Sequence, residues 1–552
     1  MTEAAGIGPG VTIDLGAAFS SVFAAFAATA RAHPGNAYLA VPPREGRDYD
    51  AAGSELTYGT ALREILTLSE HYYRAGYGPG HRVALMLDNR PDHFLHLIAL
   101  NRLGVSVVPV NPDYLHDEIA YLCTHAEVSL AIVLAHHFGR IAKVAASCGG
   151  SFVFAVAGES PPAPRRPAPG GGAPGRTSEA AILYTSGTTG RPKGCVLDNE
   201  YFLASGAWYA AIGGRIALSH GQERVQHPLP LFHMNAGIIT PMAMLLTANC
   251  MILPDRFHAR TWWADLIATR ATAFHYLGIV PPVLMKQPAC AEERQHAARW
   301  GLGAGIDPAI HAAFETRFGV AMCEVWGMTE TGRILCDAHE PRQITTRAFG
   351  RPFGGFEARV VDDRERDVAP GQPGELIVRM TGENPRAGFF RGYLKDEAAT
   401  EEAWRGGWFH SGDVVCQAAD GMLSFVERKK NIIRRSGENI SAAEVENALI
   451  DHPAISRVAV LAAPDELREE EVMACVVLSG GHAPIEATAR EIAASVHGRL
   501  ALYKVPGWIV FLDELPTTGT QKVQKGLIFA KGEDPRQHPR AFDLRPFKAR
   551  KP

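Results

Sequence analysis

Residues 183–194 read LYTSGTTGRPKG, running on from the apolar stretch Ala180–Leu183. The segment combines small flexible residues, hydroxyl side chains and a lysine at the end of a strand-like run. Ser186, Thr188 and Thr189 can donate hydroxyl hydrogen bonds, Gly187 and Gly190 let backbone N–H groups approach closely, and Lys193 supplies charge. By composition this is a phosphate cradle. A Walker loop requires G-x-x-x-x-G-K-[ST], and here the lysine follows Pro192 and precedes Gly194, so that frame does not fit. No G-x-S-x-G nucleophile elbow occurs anywhere, which removes the usual serine-hydrolase reading.

Working outward, 82–156 alternates short aliphatic runs with amphipathic ones: RVALMLDN, PDHFLHLIALNRLG, VSVVPVN, HDEIAYLCTHAE and SLAIVLA. That spacing predicts parallel β-α-β construction, with ligands at the carboxyl ends of the strands. Residues 158–178 are rich in proline and glycine and predict a surface loop or a disordered insertion. Residues 224–255 carry no charge between Arg224 and Asp255, but His227, Pro228, Pro230, His233, Asn235, Pro241 and Asn249 interrupt them. A buried strand, loop and helix therefore fit better than a membrane span. Beyond about 430 the texture changes to short strands and two helices, the first with a Ser441/Glu444 capping box. The end of the chain, from Arg536, predicts a solvated basic tail.

With 552 residues the chain exceeds one ordinary domain, and its net charge of −4 provides no global field for nucleic acid. The nine cysteines form no C-x-x-C pair and no zinc spacing, so the expected setting is a reducing cytoplasm without disulfides. Glu3 and Asp14 stand where a secretory signal would be basic, and 19–31 read as an ordinary helix.

YTSGTTGRPKG closely resembles the phosphate loop of the AMP-forming acyl-CoA synthetase superfamily, which includes firefly luciferase and peptide-synthetase adenylation domains. Further motifs follow in the family's order: PLFH at 230–233, GLGAG at 301–305, WGMTET at 326–331, GELIVR at 374–379 and FHSGD at 409–413. ERKKNIIRRSGENISAAEVE at 427–446 and PTTGTQKVQK at 516–525 complete the set. The run FHYLGIVPPVLMKQP and the ending TQKVQK look most like crotonobetaine/carnitine-CoA ligase-type bacterial enzymes.

The resemblance implies a large α/β N-terminal domain of stacked layers with a small β-rich subdomain (1–429), and a small mobile α+β domain (430–552). It implies ATP-dependent conversion of a small carboxylic acid to acyl-AMP with release of pyrophosphate, then transfer to the thiol of CoA. Thr185, Ser186, Gly187, Thr188, Thr189, Gly190 and Lys193 would wrap the β- and γ-phosphates. Thr329 would meet the α-phosphate and Glu330 would hold Mg²⁺, a hard cation suited to a carboxylate. Gly303, Ala304, Gly305 and Trp326 would flank adenine, Trp326 standing where the family usually has tyrosine. Asp413 and Arg428 fit the ribose site, and Lys522, preceded by Gln521 where glycine is usual, fits the adenylation lysine.

Lys430 matches the hinge, and Ser436, Gly437 and Glu438 the thiol channel. His233, Asn235, Tyr276, Gly278 and Met328 fall on the acyl pocket. Amino-acid-activating relatives carry aspartate where His233 stands, which argues against an α-amino acid substrate. An acyl-AMP ligase loading a carrier-protein phosphopantetheine would share every motif, and a non-catalytic nucleotide-binding protein is the remaining alternative. Neither a membrane span nor a nucleic-acid partner is expected, and monomer and homodimer both stay open.

Overall fold

The computed structural model describes residues 15–185, 192–428, 431–435, 438–465, 468–497, 499–500, 502–517, 523–530 and 532–548. The chain divides into two compact units. The first comprises 1–359, 377–411 and 417–424; the second comprises 360–376, 412–416 and 425–552. The second unit thus starts at Phe425, ahead of the expected boundary at 430, and recruits two earlier segments.

In the first unit the aliphatic runs of 82–156 form the parallel strands Arg82–Met86, Ser106–Pro109, Leu130–Val133 and Val153–Val156. Their seven-stranded sheet runs Gly392–Tyr393, Lys193–Asp198, Glu179–Thr185, Ser106–Pro109, Arg82–Met86, Leu130–Val133, Val153–Val156. Helices His116–His125 and Phe138–Ser147 cover one face through Ile119, Leu122, Ile141 and Val144, which pack on Ala84, Val108 and Ala131. Burial on both faces explains why these strands read as unbroken apolar runs.

An eight-stranded sheet is mostly parallel, with Arg224–Gln226, Ala273–Leu277, Trp300–Ala304 and Ala321–Gly327 in adjacent parallel register. The region from Arg224 to Asp255 becomes strand Arg224–Gln226, a loop, a π-helical turn Asn235–Ile239, helix Thr240–Leu246 and strand Cys250–Ile252. No helix among the described residues is long and apolar enough to cross a membrane.

The loop 158–178 lies along the chain's own 76–81 segment: the Tyr77 hydroxyl donates to Pro162 O (2.8 Å) and Gly170 N to Pro79 O (2.9 Å). Its far end is tied down by Asn199. That side chain accepts from Val22 N (3.0 Å) and Asn101 Nδ2 (2.8 Å) and donates to Gly175 O (2.9 Å).

The second unit contains a six-stranded sheet around Glu469–Leu478. Helices Ala442–Leu449 and Glu486–Ser495 cover the face carrying Val472, Ala474 and Val476, while Met473 and Cys475 meet Trp508, Val510 and Leu515 on the other. The expected solvated tail is different from its reading: Ala541–Asp543 adds an antiparallel strand to Trp508–Phe511, and the buried Lys548 donates to Glu471 Oε1 (2.8 Å). Glu471 is wholly buried and takes Arg435 as well, so its desolvated charge is balanced by two cations.

Replacing Asn199 by alanine removes the partner of three groups, Val22 N, Asn101 Nδ2 and Gly175 O. The change is expected to lower stability by about 2–3 kcal/mol. A urea midpoint shifted by less than the equivalent of about 0.5 kcal/mol, the ordinary scatter of neutral surface changes, would contradict this role.

Candidate active site

The strand ending at Thr185 continues not into a helix but into the antiparallel strand Lys193–Asp198, with Thr185 opposite Lys193 and Leu183 opposite Cys195. Residues 186–191 therefore join the two arms of a hairpin, which separates this loop from the strand–loop–helix of a Walker site. Ser186, Gly187, Thr188, Thr189 and Gly190 themselves lie outside the described residues. Gly194 is required by space: a Cβ there would sit 2.9 Å from Ile182 Cγ2 and 3.2 Å from Tyr184 Cζ.

A third strand, Gly392–Tyr393, pairs with Cys195–Val196 and carries the link to the next motif. The Tyr393 hydroxyl donates to Glu330 Oε1 (2.9 Å), and Phe390 N donates to Glu330 O (3.0 Å). Lys193 Nζ stands 4.8 Å from the Tyr393 ring centre and 3.8 Å from Asp396 Oδ2. Burial, reinforced by the nearby Glu330 carboxylate, pushes the Cys195 thiol well up, so it stays a neutral neighbour of Thr185 (4.0 Å). Burial and the same carboxylate raise the Tyr393 hydroxyl, which keeps it a donor.

Glu330 belongs to a tight turn in which Met328 O accepts from Thr331 N (3.2 Å) and Thr331 Oγ1 (3.0 Å). Thr329 is fixed from behind: the Tyr201 hydroxyl, on helix Asn199–Ala211, donates to Thr329 O (2.7 Å). Gly332 closes the turn at φ +61°, with Tyr201 and Gly388 too near for a side chain. Met234 Sδ lies 3.7 Å from the same hydroxyl, which brings PLFHM up to the turn.

Gly303, Ala304 and Gly305 end the strand Trp300–Ala304 and run into the loop beyond it, between Ala273–Leu277 and Ala321–Gly327. Glu324 accepts from Gly305 N (2.6 Å) and Ile306 N (3.2 Å). Burial pushes its carboxyl up to about 7, against the opposing pull of those two N–H groups. Trp326, two residues on, is buried and stacks on Phe349 at 6.0 Å. Gly278 lies under Gly305, where a Cβ would come 2.4 Å from Gly305 O. Tyr276 is fully buried, its hydroxyl donating to Cys323 O (3.2 Å), and its ring lies under Gly303 on the face of the strand opposite His275. Its side chain thus supports the 301–305 segment.

His233 is exposed at its surface yet deep enough that burial lowers its imidazole to about 4. Asn235, in the π-helical turn, accepts from Thr240 Oγ1 (3.0 Å) and donates to His275 Nδ1 (3.3 Å). His275 Nε2 meets the Tyr209 hydroxyl (3.0 Å), and its ring stacks on His227 at 4.2 Å. Burial holds both imidazoles far below their ordinary value.

In the second unit Asp413 is buried on strand Phe409–Gln417, and the adjacent Gly412 N donates to Glu375 Oε1 (3.3 Å). Arg428 ends strand Leu423–Arg428, and Glu438 begins Glu438–Ser441. Lys430, Ser436, Gly437 and Lys522 lie outside the described residues. Glu324, Tyr393 and Tyr201 escaped sequence reasoning, because each acts through a contact made across the sheet or from a helix behind it.

Two family models match the sequence. The AMP-binding enzyme model covers residues 26–394, and the AMP-binding enzyme C-terminal domain model covers 444–522. The chain belongs to the AMP-binding enzyme family. It is 29% identical over 492 residues to the crotonobetaine/carnitine–CoA ligase of Citrobacter koseri, an alignment spanning 85% of this chain and 92% of that one. Among solved structures, ATP-bound MatB from Rhodopseudomonas palustris superposes with a TM-score of 0.75 at 23% identity, over 91% of this chain and 97% of that one. A benzoate CoA ligase from Burkholderia xenovorans LB400 gives 0.75 at 22%, over 92% and 99%.

Because the folded-state value of Glu324 lies above an ordinary carboxyl, its contribution to stability is complete at low pH and is lost as pH rises through about 7. Melting curves of the wild type and Glu324→Gln at pH 5 and pH 8 should therefore differ, the wild type losing more stability on going to pH 8. Parallel pH dependences would contradict the assignment.

Proposed function

We propose that this AMP-binding enzyme activates a small carboxylic acid with ATP and passes the acyl group to the thiol of CoA. The observation that supports it most is the link from the phosphate hairpin to Glu330: Lys193, opposite Thr185, stands over the ring of Tyr393, whose hydroxyl donates to Glu330. A carboxylate is a poor acyl donor because its charge repels nucleophiles and oxide is a bad leaving group. Attack of the carboxylate oxygen on the α-phosphorus of ATP expels pyrophosphate and leaves acyl-AMP. The thiol sulfur then attacks the acyl carbon and expels AMP.

In this reading Lys193 and the hairpin hold the departing pyrophosphate, while Thr329, its carbonyl locked by Tyr201, is presented to the α-phosphate. The Glu330 carboxylate has the hard oxygen donors that Mg²⁺ takes, and Mg²⁺ held there would neutralise phosphate charge. The Gly303–Gly305 segment, held by Glu324, gives adenine an edge without side chains, and Trp326 gives it an apolar wall. Asp413 would accept the ribose hydroxyls, with Arg428 in support. Lys522 would bring a cation to the developing charge between carboxylate and α-phosphate. Lys430 would serve as the hinge that exchanges Lys522 for Ser436, Gly437 and Glu438 between the two half-reactions.

The acid is aliphatic, unsaturated or aryl and lacks an α-ammonium group. His233, held neutral by burial, stands where that ammonium would require a carboxylate. Neutral pocket groups suit an uncharged tail.

AMP formation from ATP, CoA and a panel of carboxylic acids tests this reading, and the absence of turnover with every acid would refute it. Turnover with a phosphopantetheinylated carrier protein but not with CoA would reassign the acceptor. Lys522→Ala should slow pyrophosphate release by roughly 10²-fold or more while leaving thioester formation from preformed acyl-AMP within a few-fold. Equal loss in both steps would remove Lys522 from adenylation.

A further inference from the structure

Asp88 and the adjacent pair His136 and His137 come together at one edge of the seven-stranded sheet. Asp88 follows strand Arg82–Met86, and the two histidines end the 3₁₀ turn Ala135–His137 just beyond strand Leu130–Val133. These strands are parallel neighbours. From Arg82–Met86 the chain crosses first to Ser106–Pro109 on one side and then to Leu130–Val133 on the other, so successive connections diverge at this point. Divergence at the carboxyl ends of parallel strands leaves a crevice, and α/β sheets place ligands there.

The three side chains converge. His137 Nε2 lies 3.0 Å from Asp88 Oδ1, and His136 Nε2 lies 3.3 Å from Asp88 Oδ2. One ligand atom from each residue falls within 4.8 Å of the other two. Donors held by a tetrahedral Zn²⁺ at about 2.0–2.1 Å stand about 3.3 Å from one another, so both nitrogen–oxygen separations suit a shared ion. The turn brings the imidazole rings of consecutive residues to 4.0 Å, side by side on one carboxylate. Asp88 reaches them from a left-handed backbone, φ +54°, which Asp and Asn adopt more readily than other residues with side chains.

Arg140 is the cation beside the triad. Its Nη2 donates to His137 Nδ1 (3.0 Å) and Pro112 O (2.6 Å), and its Nη1 donates to Tyr114 O (3.3 Å). A neutral His137 bonded in this way carries its proton on Nε2. A metal on Nε2 moves that proton to Nδ1, and Arg140 keeps its two carbonyl partners.

We propose that Asp88, His136 and His137 form a metal site for a late first-row divalent cation such as Zn²⁺, with a further position open to water. Two imidazoles and one carboxylate suit that class, whereas Mg²⁺ takes oxygen donors. The His136 side chain is half exposed, which gives the ion a path of entry. Asn89, next in the chain, donates to Leu229 O (2.9 Å) and accepts from Leu231 N (3.1 Å). A metal that fixes Asp88 therefore also steadies the segment leading to His233.

Calorimetric titration of the untagged full chain with Zn²⁺ tests the site without reference to catalysis. Cys290→Ser, in every protein used, removes an exposed thiol that could compete. One equivalent should bind with a Kd of about 10 µM or tighter. His136→Ala changes a half-exposed side chain, and Asp88→Asn keeps a residue suited to the left-handed backbone. Each should weaken that equivalent by about tenfold or more. Melting curves confirm that both variants are folded. Absence of binding at about 0.1 mM Zn²⁺, or an affinity unchanged in either variant, would overturn the proposal. Because the readout is metal binding at residues apart from the phosphate, adenine and acid positions, its failure leaves the acid-activation reading untouched, and failure of the acid panel leaves this one untouched.

Discussion

The hydrogen bond from Tyr393 to Glu330 is the constraint on which the rest of the candidate site depends. Tyr393 belongs to a two-residue edge strand paired with the return arm of the phosphate hairpin, and Glu330 belongs to a turn 63 residues earlier in the chain. A buried carboxylate needs a donor, and a buried phenol needs an acceptor. One contact satisfies both and holds the carboxylate near Cys195. Lys193 over the same ring then has one position rather than many, since its flexible stem packs against an aromatic face.

A second constraint shapes the segment that follows strand Trp300–Ala304. Gly278 and Gly305 pass one another so closely that a methyl group at Gly278 would overlap the Gly305 carbonyl oxygen. Backbone packed this tightly cannot hold itself by side chains, so Glu324, reaching from the neighbouring strand, accepts its N–H groups. The carboxyl is caught between two opposed forces. Burial favours the protonated form and the N–H donors favour the ionised one, and burial prevails. Acceptor capacity survives in either state, so the segment remains tied through the neutral range.

How much of this was legible in the sequence depends on where each interaction's information resides. The parallel strands of 82–156 were readable because burial on both faces leaves an aliphatic signature, and the family motifs were readable because their glycines and hydroxyls sit together in the chain. Tyr393 and Tyr201 act across 63 and 128 residues of sequence, and nothing in the WGMTET motif that holds their partners Glu330 and Thr329 points to either tyrosine. The hairpin nature of the phosphate loop was invisible for the same reason, since Gly194 reads equally well before a helix or a strand. The basic end of the chain misled in the opposite way. Its charge suggested solvent, but the burial of Lys548 follows from the needs of Glu471, which lies far earlier in the sequence. Tyr276 was expected at the acyl pocket from its motif; strand alternation puts its ring under Gly303 and its hydroxyl on Cys323 O, contacts that the sequence does not mark.

The polar groups around Asn235 form a chain with a definite direction. Thr240 donates to Asn235 Oδ1, so the Asn235 amide nitrogen faces His275 and donates to its Nδ1. His275 must then carry its proton on Nε2, where the Tyr209 oxygen receives it. A charged imidazole could not accept from Asn235, and a charge on His275 would also face the His227 ring stacked 4.2 Å away. Burial removes that state by holding both rings neutral across the physiological range. The result is an amide whose orientation is set from behind by neutral groups alone. Asn235 therefore presents polarity without charge in the stretch that also holds His233.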